Sequence, residues 1–163
     1  MKIEIGSIIR IPLQNDRFGI ARIISIVDDT CLFELFISKV FNSKEQIDTS
    51  IILANKKVYI WGYNTNIKNK KWKIIDNIIP EKNFEMPYFI DSSFYLEEPI
   101  HRLYLQKGDI FNPLCGVGKK IYISEDRAKE LFKTGILNAG IAFPKAIISV
   151  FINQLRFNNI DID

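Results

Sequence analysis

The chain has 163 residues, 47% of them hydrophobic and 25% charged, with a net charge of +3. That length suits one domain, or one domain with an appendage, and the composition supports a buried core and excludes long disorder. The charge is mildly basic, well short of the excess expected of a dedicated nucleic-acid binder, although a local patch can still hold anions.

The opening stretch, MKIEIGSIIRIPL, soon carries Glu4, Arg10 and Pro12. It has no continuous apolar run and no small-residue cleavage site, so a secretion signal is not expected. No apolar run approaches the roughly 18 residues a membrane helix needs. The expectation is a cytoplasmic protein without membrane attachment. Residues Ile8 to Leu13 and Phe18 to Val27 are rich in β-branched side chains and read as strands. In the second, Phe18, Ile20, Arg22, Ile24 and Ile26 share one face, and Gly19, Ala21, Ile23, Ser25 and Val27 the other. Both faces are largely apolar. That predicts a central strand, with Arg22 either paired or exposed at the edge of the buried face. Gln14 to Arg17 form the turn between the two strands.

A third strand is predicted from Cys31 to Phe41, after the Asp28-Asp29 turn. Lys57 to Tyr63 and Lys71 to Ile75 read as a second hairpin, with a polar, mobile tip from Asn64 to Lys70. From Pro80 to Pro99 the pattern loosens into an aromatic-rich loop with Phe84, Tyr88, Phe89, Phe94 and Tyr95. Lys120 to Ile123 makes a short strand. Ser124 is a good N-cap, Glu125 and Asp126 suit the first turn of a helix, and Gly135 ends it. Ala128, Leu131 and Phe132 form its apolar stripe. A second helix starts at Pro144, buries Ile147, Ile148, Phe151 and Leu155 on one face, and stops at Asn158-Asn159. The expected class is α+β: a small twisted antiparallel β-sheet or SH3-like half-barrel with one or two C-terminal helices. Residues 1–105 are expected to form the β-rich domain, with 106–163 packed on it as a strand plus helical segment, the whole one compact unit.

Candidate chemistry is sparse. Cys31 and Cys115 are too few and too far apart for a disulfide framework, and both are expected to be small buried hydrophobes. The lone histidine, His101, has no adjacent carboxylate beyond Glu97 and Glu98, and reads as a surface or packing residue. NPLCGVGKK, Asn112 to Lys120, fails as a phosphate loop: its glycines are two apart, Lys120 stands where Ser or Thr is needed, and a strand follows. No catalytic residue, metal or cofactor is expected. KNKKWK, with Lys68, Lys70, Lys71 and Lys73, has the composition of a nucleic-acid contact, but lysines at a hairpin tip also blunt sheet edges. Trp72 is expected in the core. Asp91, Glu97 and Glu98 lie among Tyr88, Phe89, Phe94 and Tyr95. Such an aromatic-acidic patch suits a basic protein partner, the aromatics supplying buried area and the acids steering.

The segment Gly6, Ile11-Pro12-Leu13, Asp16-Arg17-Phe18-Gly19 and Arg22 resembles the start of the immunity protein 26 family. Trp72-Lys73-Ile74-Ile75 is similar to that family's later tryptophan strand, and Pro87 to Phe89 to its following proline-aromatic segment. The likeness covers roughly residues 4 to 105. Two positions depart from the pattern: no glycine separates Asp16 from Arg17, and Asp76 stands where glycine is frequent. The resemblance implies a role in bacterial polymorphic toxin systems, in which the protein binds its cognate toxin one to one and neutralises it by occlusion. Tyr88, Phe89, Asp91, Phe94, Tyr95, Glu97 and Glu98 would be the contacts. Some of the family carries a phosphotriesterase-like description, to which this chain brings no cluster of histidines and carboxylates for a binuclear metal site. Two other readings compete. A nucleic-acid-binding small β-barrel would use the four lysines, although nucleic acid is not the expected partner. A hydrolase would need Cys115, His101 and a carboxylate in one pocket.

Overall fold

The computed structural model describes residues 2–42, 44–95, 98–107 and 120–162. In chain order the elements are β1 (Ser7–Pro12), β2 (Arg17–Val27), β3 (Thr30–Ile37), β4 (Phe41–Asn42), α1 (Thr49–Ile52), β5 (Lys56–Tyr63), α2 (Thr65–Lys68), β6 (Lys73–Asn77), β7 (Tyr88–Tyr95), β8 (Glu98–Lys107), β9 (Ile121–Ile123), α3 (Glu125–Thr134) and α4 (Pro144–Phe157). They group into two compact units, Met1–Lys82 with Ile141–Asp163, and Asn83–Gly140.

The first unit is an antiparallel sheet in the order β5-β3-β2-β1-β6, with β4 pairing to β2. A meander therefore runs β1, β2, β3, β5. The one-turn helix α2 follows, and β6 returns to the free side of β1. That is the strand order of an SH3-like half-barrel, and the α+β class holds. The β1–β2 connection is a tight turn. Asn15 and Asp16 both adopt left-handed φ values, 53° and 56°, and the Arg17 amide donates to the Gln14 carbonyl at 2.9 Å. Two consecutive positive φ values match the right-handed twist of the flanking strands. Gly6 sits just before β1 at φ 91°, a conformation that favours glycine. Its amide donates to Ile23 and its carbonyl accepts from Ile78, each at 2.8 Å, so one residue ties β2 to the chain just past β6.

Both faces of this sheet are covered. On one, Ile8, Phe18, Ile20, Phe36, Phe41 and Ile52 form a continuous apolar cluster, with Ile75 and Ile78 packed against it. On the other lies α4, against β3 and β5. Its Phe151 ring occupies the space above Gly19, where a Cβ would come within 2.5 Å of the ring, and Ile147 fills the corresponding space at Gly62. Trp72 packs edge-on against Phe33 at 5.9 Å between ring centres. Every residue of β3 is buried as a result.

The second unit holds a sheet in the order β7-β8-β9. The free side of β7 is stitched to the 137–139 segment: Ile90 donates to Leu137 at 2.9 Å and accepts from Ala139 at 2.6 Å. The Ser124 side chain accepts from the Arg127 amide at the start of α3, and Gly135 closes it in the left-handed conformation at φ 106°.

Four local expectations change. The second hairpin does not form: β5 pairs with β3 and β6 with β1, at opposite edges of the sheet. The polar tip is the helical turn α2, pinned by the buried Ile67 and by the Ile67 and Lys68 amides donating to the Asn64 carbonyl. The third strand breaks after Ile37, because the chain shifts from β3 to pair as β4 beside Arg17 and Phe18. The aromatic segment is not a loop from Tyr88 onward but the hairpin of β7 and β8.

Candidate interaction surfaces

The arginines of the opening stretch have structural tasks. Arg10 lies over the Phe18 ring at 4.4 Å and donates to the Glu45 carbonyl at 3.2 Å. Arg17 follows the turn residues Asn15 and Asp16, and Pro12 ends β1, with Leu13 donating to the Arg17 carbonyl at 2.9 Å. Arg22 is 5% exposed and Glu34 0%. The two are cross-strand partners on β2 and β3, and Tyr59 of β5 stands opposite Glu34 in the same row. Arg22 contacts Glu34 at 2.7 Å through both Nε and a terminal nitrogen, while the Tyr59 hydroxyl donates to the other Glu34 oxygen at 2.8 Å. Lys57 lies 3.7 Å from that same oxygen. Burial, and then the Glu34 carboxylate, push the Tyr59 phenol well above its ordinary value. Glu34, Tyr59 and Lys57 were not singled out in the sequence. The available signal was the lone acid in TCLFELFI, one strand away from Arg22, the base set among the apolar residues of β2.

The aromatic-acidic residues separate. Tyr88 is 40% exposed, with Lys107 Nζ 5.9 Å from its ring centre. Phe89 is 1% exposed and belongs to the core of the second unit. Asp91 is half-buried and accepts from the Tyr104 hydroxyl at 2.9 Å. Phe94 and Tyr95 lie on the end of β7 and Glu98 begins β8. Their side chains, like all of Glu97, lie outside the described residues, as does the side chain of His101 on β8.

The four lysines also have individual settings. Lys68 ends α2 and pairs with Asp29. Lys70 has φ 59° and, with Lys71 and Lys73, is exposed. Trp72 between them is buried. Cys31 is buried, and its burial pushes the thiol up to about 11 against the opposing effects of the Asn64 side chain and Lys68. Cys115 and the glycines of the 112–119 stretch lie outside the described residues.

A recess of about 350 Å³ near β4 and α1 is lined by Phe41, Ile52, Gln46, Asp48 and Asn55, among others. Among the described residues, no three His, Cys, Asp or Glu side chains converge to hold a metal ion. No helix among them is long and apolar enough to cross a membrane. Tyr88 on the β7–β8 hairpin is partly exposed, and Lys70, Lys71 and Lys73 beside α2 are exposed. No curated protein and no solved structure matches the chain. The model of one family, immunity protein 26, matches residues 4–93.

Proposed function

The chain belongs to the immunity protein 26 family, and from that premise we propose that it binds a cognate bacterial toxin one to one and neutralises it by occlusion. The family match carries this reading. Its span holds the complete β1–β6 sheet and most of β7, with Gly6, Phe18, Gly19, Arg22 and Trp72 all at points where the sheet is closed or packed. Those residues build the scaffold, and the binding energy comes from surfaces mounted on it.

The β7–β8 hairpin is the first such surface. Tyr88 offers a partly exposed ring, and Asp91, Glu97 and Glu98 give the stretch its acidic character, which suits basic groups on the toxin. Phe94 and Tyr95 complete the contact in this reading, and the buried Phe89 supports it from beneath. The test is co-purification of the tagged protein with the products of its flanking genes, read by mass spectrometry. A stoichiometric toxin-domain protein is the expected result, and Tyr88→Ala should weaken the complex. Recovery of no such protein, with the flanking genes expressed, would remove the reading.

A further inference from the structure

The start of α4 and the end of β5 meet at one end of the first sheet. Ala142 donates to the Trp61 carbonyl at 2.8 Å and accepts from the Tyr63 amide at 3.0 Å, so it lies parallel to Gly62. Phe143 follows in an extended conformation, and Pro144 fixes the first position of the helix. The Phe143 ring rests 5.1 Å from the Tyr63 ring, centre to centre, yet Phe143 is 68% exposed. A large ring whose backbone is stitched down and whose one side leans at a tilt on a second ring loses little freedom when its other side is covered. That is the property of an interface anchor.

The elements that meet here carry cations. Lys145 is two residues on, and Tyr63 leads directly into α2 with Lys68, then Lys70 and Lys71. The Asp28-Asp29 turn joins the same end, because the Asn64 amide donates to the Asp29 carbonyl at 3.0 Å and Lys68 pairs with Asp29. These elements carry four lysines and two aspartates, with Lys68 and Asp29 paired to each other. Lys70, Lys71 and Lys145 are exposed and, among the described residues, carry no ion pair.

We propose that Phe143, held against Tyr63 within this lysine rim, anchors an acidic surface of the partner protein by entering an apolar pocket there. The proposal rests on the immunity reading and adds a contact opposite in charge to the β7–β8 hairpin. Charge selects the occupant. A second copy of this chain would set one lysine rim against another, which repels. A nucleic-acid strand needs a series of stacking rings along a cationic track, whereas the ring contact described at this end is that of Phe143 with Tyr63.

The test titrates the wild-type chain, Phe143→Ala, the pair Lys70→Glu/Lys71→Glu, and Tyr88→Ala against the polypeptide of the neighbouring toxin gene, at low and raised sodium chloride. Loss of a hot-spot ring corresponds to roughly tenfold or more in affinity, and that is expected for Phe143→Ala. The lysine pair should weaken binding and flatten its salt dependence. Wild-type binding left unchanged by both sets of variants would overturn the anchor while leaving the immunity reading intact. No wild-type binding would overturn both. Single-stranded DNA binding, lost in the lysine pair, or a dimer of the chain alone, lost in Phe143→Ala, would assign the surface to those occupants and overturn the proposal. Urea midpoints check folding. If Phe143→Ala lowers its midpoint, the lysine pair, whose side chains are exposed, decides the matter.

Discussion

Arg22 and Glu34 place opposite charges inside a sheet whose two faces are both covered, and the pair holds because each satisfies the other at 2.7 Å. Removing Glu34 strands the buried Arg22 without its counter-charge, at a cost of about 3–5 kcal/mol. Glu34→Leu alone is therefore expected to lower the urea stability by that order. The double variant Arg22→Met/Glu34→Leu should recover most of it, since no charge is then left buried. A double variant as unstable as the single one would show that the pair matters through something other than mutual neutralisation. Cys31 and Tyr59 make a separate prediction at alkaline pH. Both are harder to deprotonate in the folded chain than in the unfolded one, principally because they are buried. Groups with raised folded values stabilise the fold below their unfolded values, and that contribution disappears as pH rises through the folded ones. For Cys31 the window runs from its ordinary 9.0 to about 11. The urea midpoint should fall across it, and Cys31→Ala should flatten the part due to the thiol. An equal fall in both proteins would discount Cys31. At this scale the sequence was informative: an arginine alternating with apolar residues on a two-faced strand had to be paired or exposed, and Cys31 was expected to be buried.

Helix α4 shows how an element distant in sequence completes the sheet. Phe151 and Ile147 enter the spaces left by Gly19 and Gly62, on β2 and β5. Truncating a buried phenylalanine costs about 3–5 kcal/mol, so Phe151→Ala should lose stability of that order. Overpacking typically costs about 1–3 kcal/mol, which is the expectation for Gly19→Ala, where the new methyl meets the ring. Thermal or urea unfolding reads both. A neutral Gly19→Ala would mean that α4 shifts to admit the methyl. The helices were legible because their signals are local: Ser124 and Gly135 cap α3, Pro144 opens α4, and Ile147, Phe151 and Leu155 fall on one face. Strand existence was equally local, but strand partnership was not. Lys57 to Tyr63 and the stretch after Trp72 look like two arms of a hairpin, yet the free side of β1 offered β6 a better partner. The buried Ile67 meanwhile drew the polar connection into a helical turn.

At the scale of the whole chain, the first unit is discontinuous: residues 83–140 lie between the strands of its sheet and the helix that covers one face. The pattern loosens at Pro80, but nothing local announces the return of residues 141–163, which depends on the spaces at Gly19 and Gly62 far upstream. The candidate surfaces were legible only in part for the same reason. The aromatic-acidic residues could be counted, but Phe89 points inward by strand pairing, and Phe143 gains its neighbour Tyr63 only when β5 and the start of α4 are brought together. The discontinuity makes a prediction about which residues the sheet needs. A flexible linker of about twenty Gly and Ser residues spans roughly 25 Å on average. If it replaces residues 83–140, it should leave a chain that still unfolds cooperatively in urea, since the sheet and α4 are both present. Ending the chain after Gly140 removes Phe151 and Ile147 from the sheet face, and cooperative unfolding should be lost. A linker variant without a cooperative transition would show that the first unit depends on the second. If it folds, its affinity for the toxin separates the surfaces: the β7–β8 hairpin is gone while Phe143 and the lysine rim are kept, so whatever binding survives belongs to the anchor.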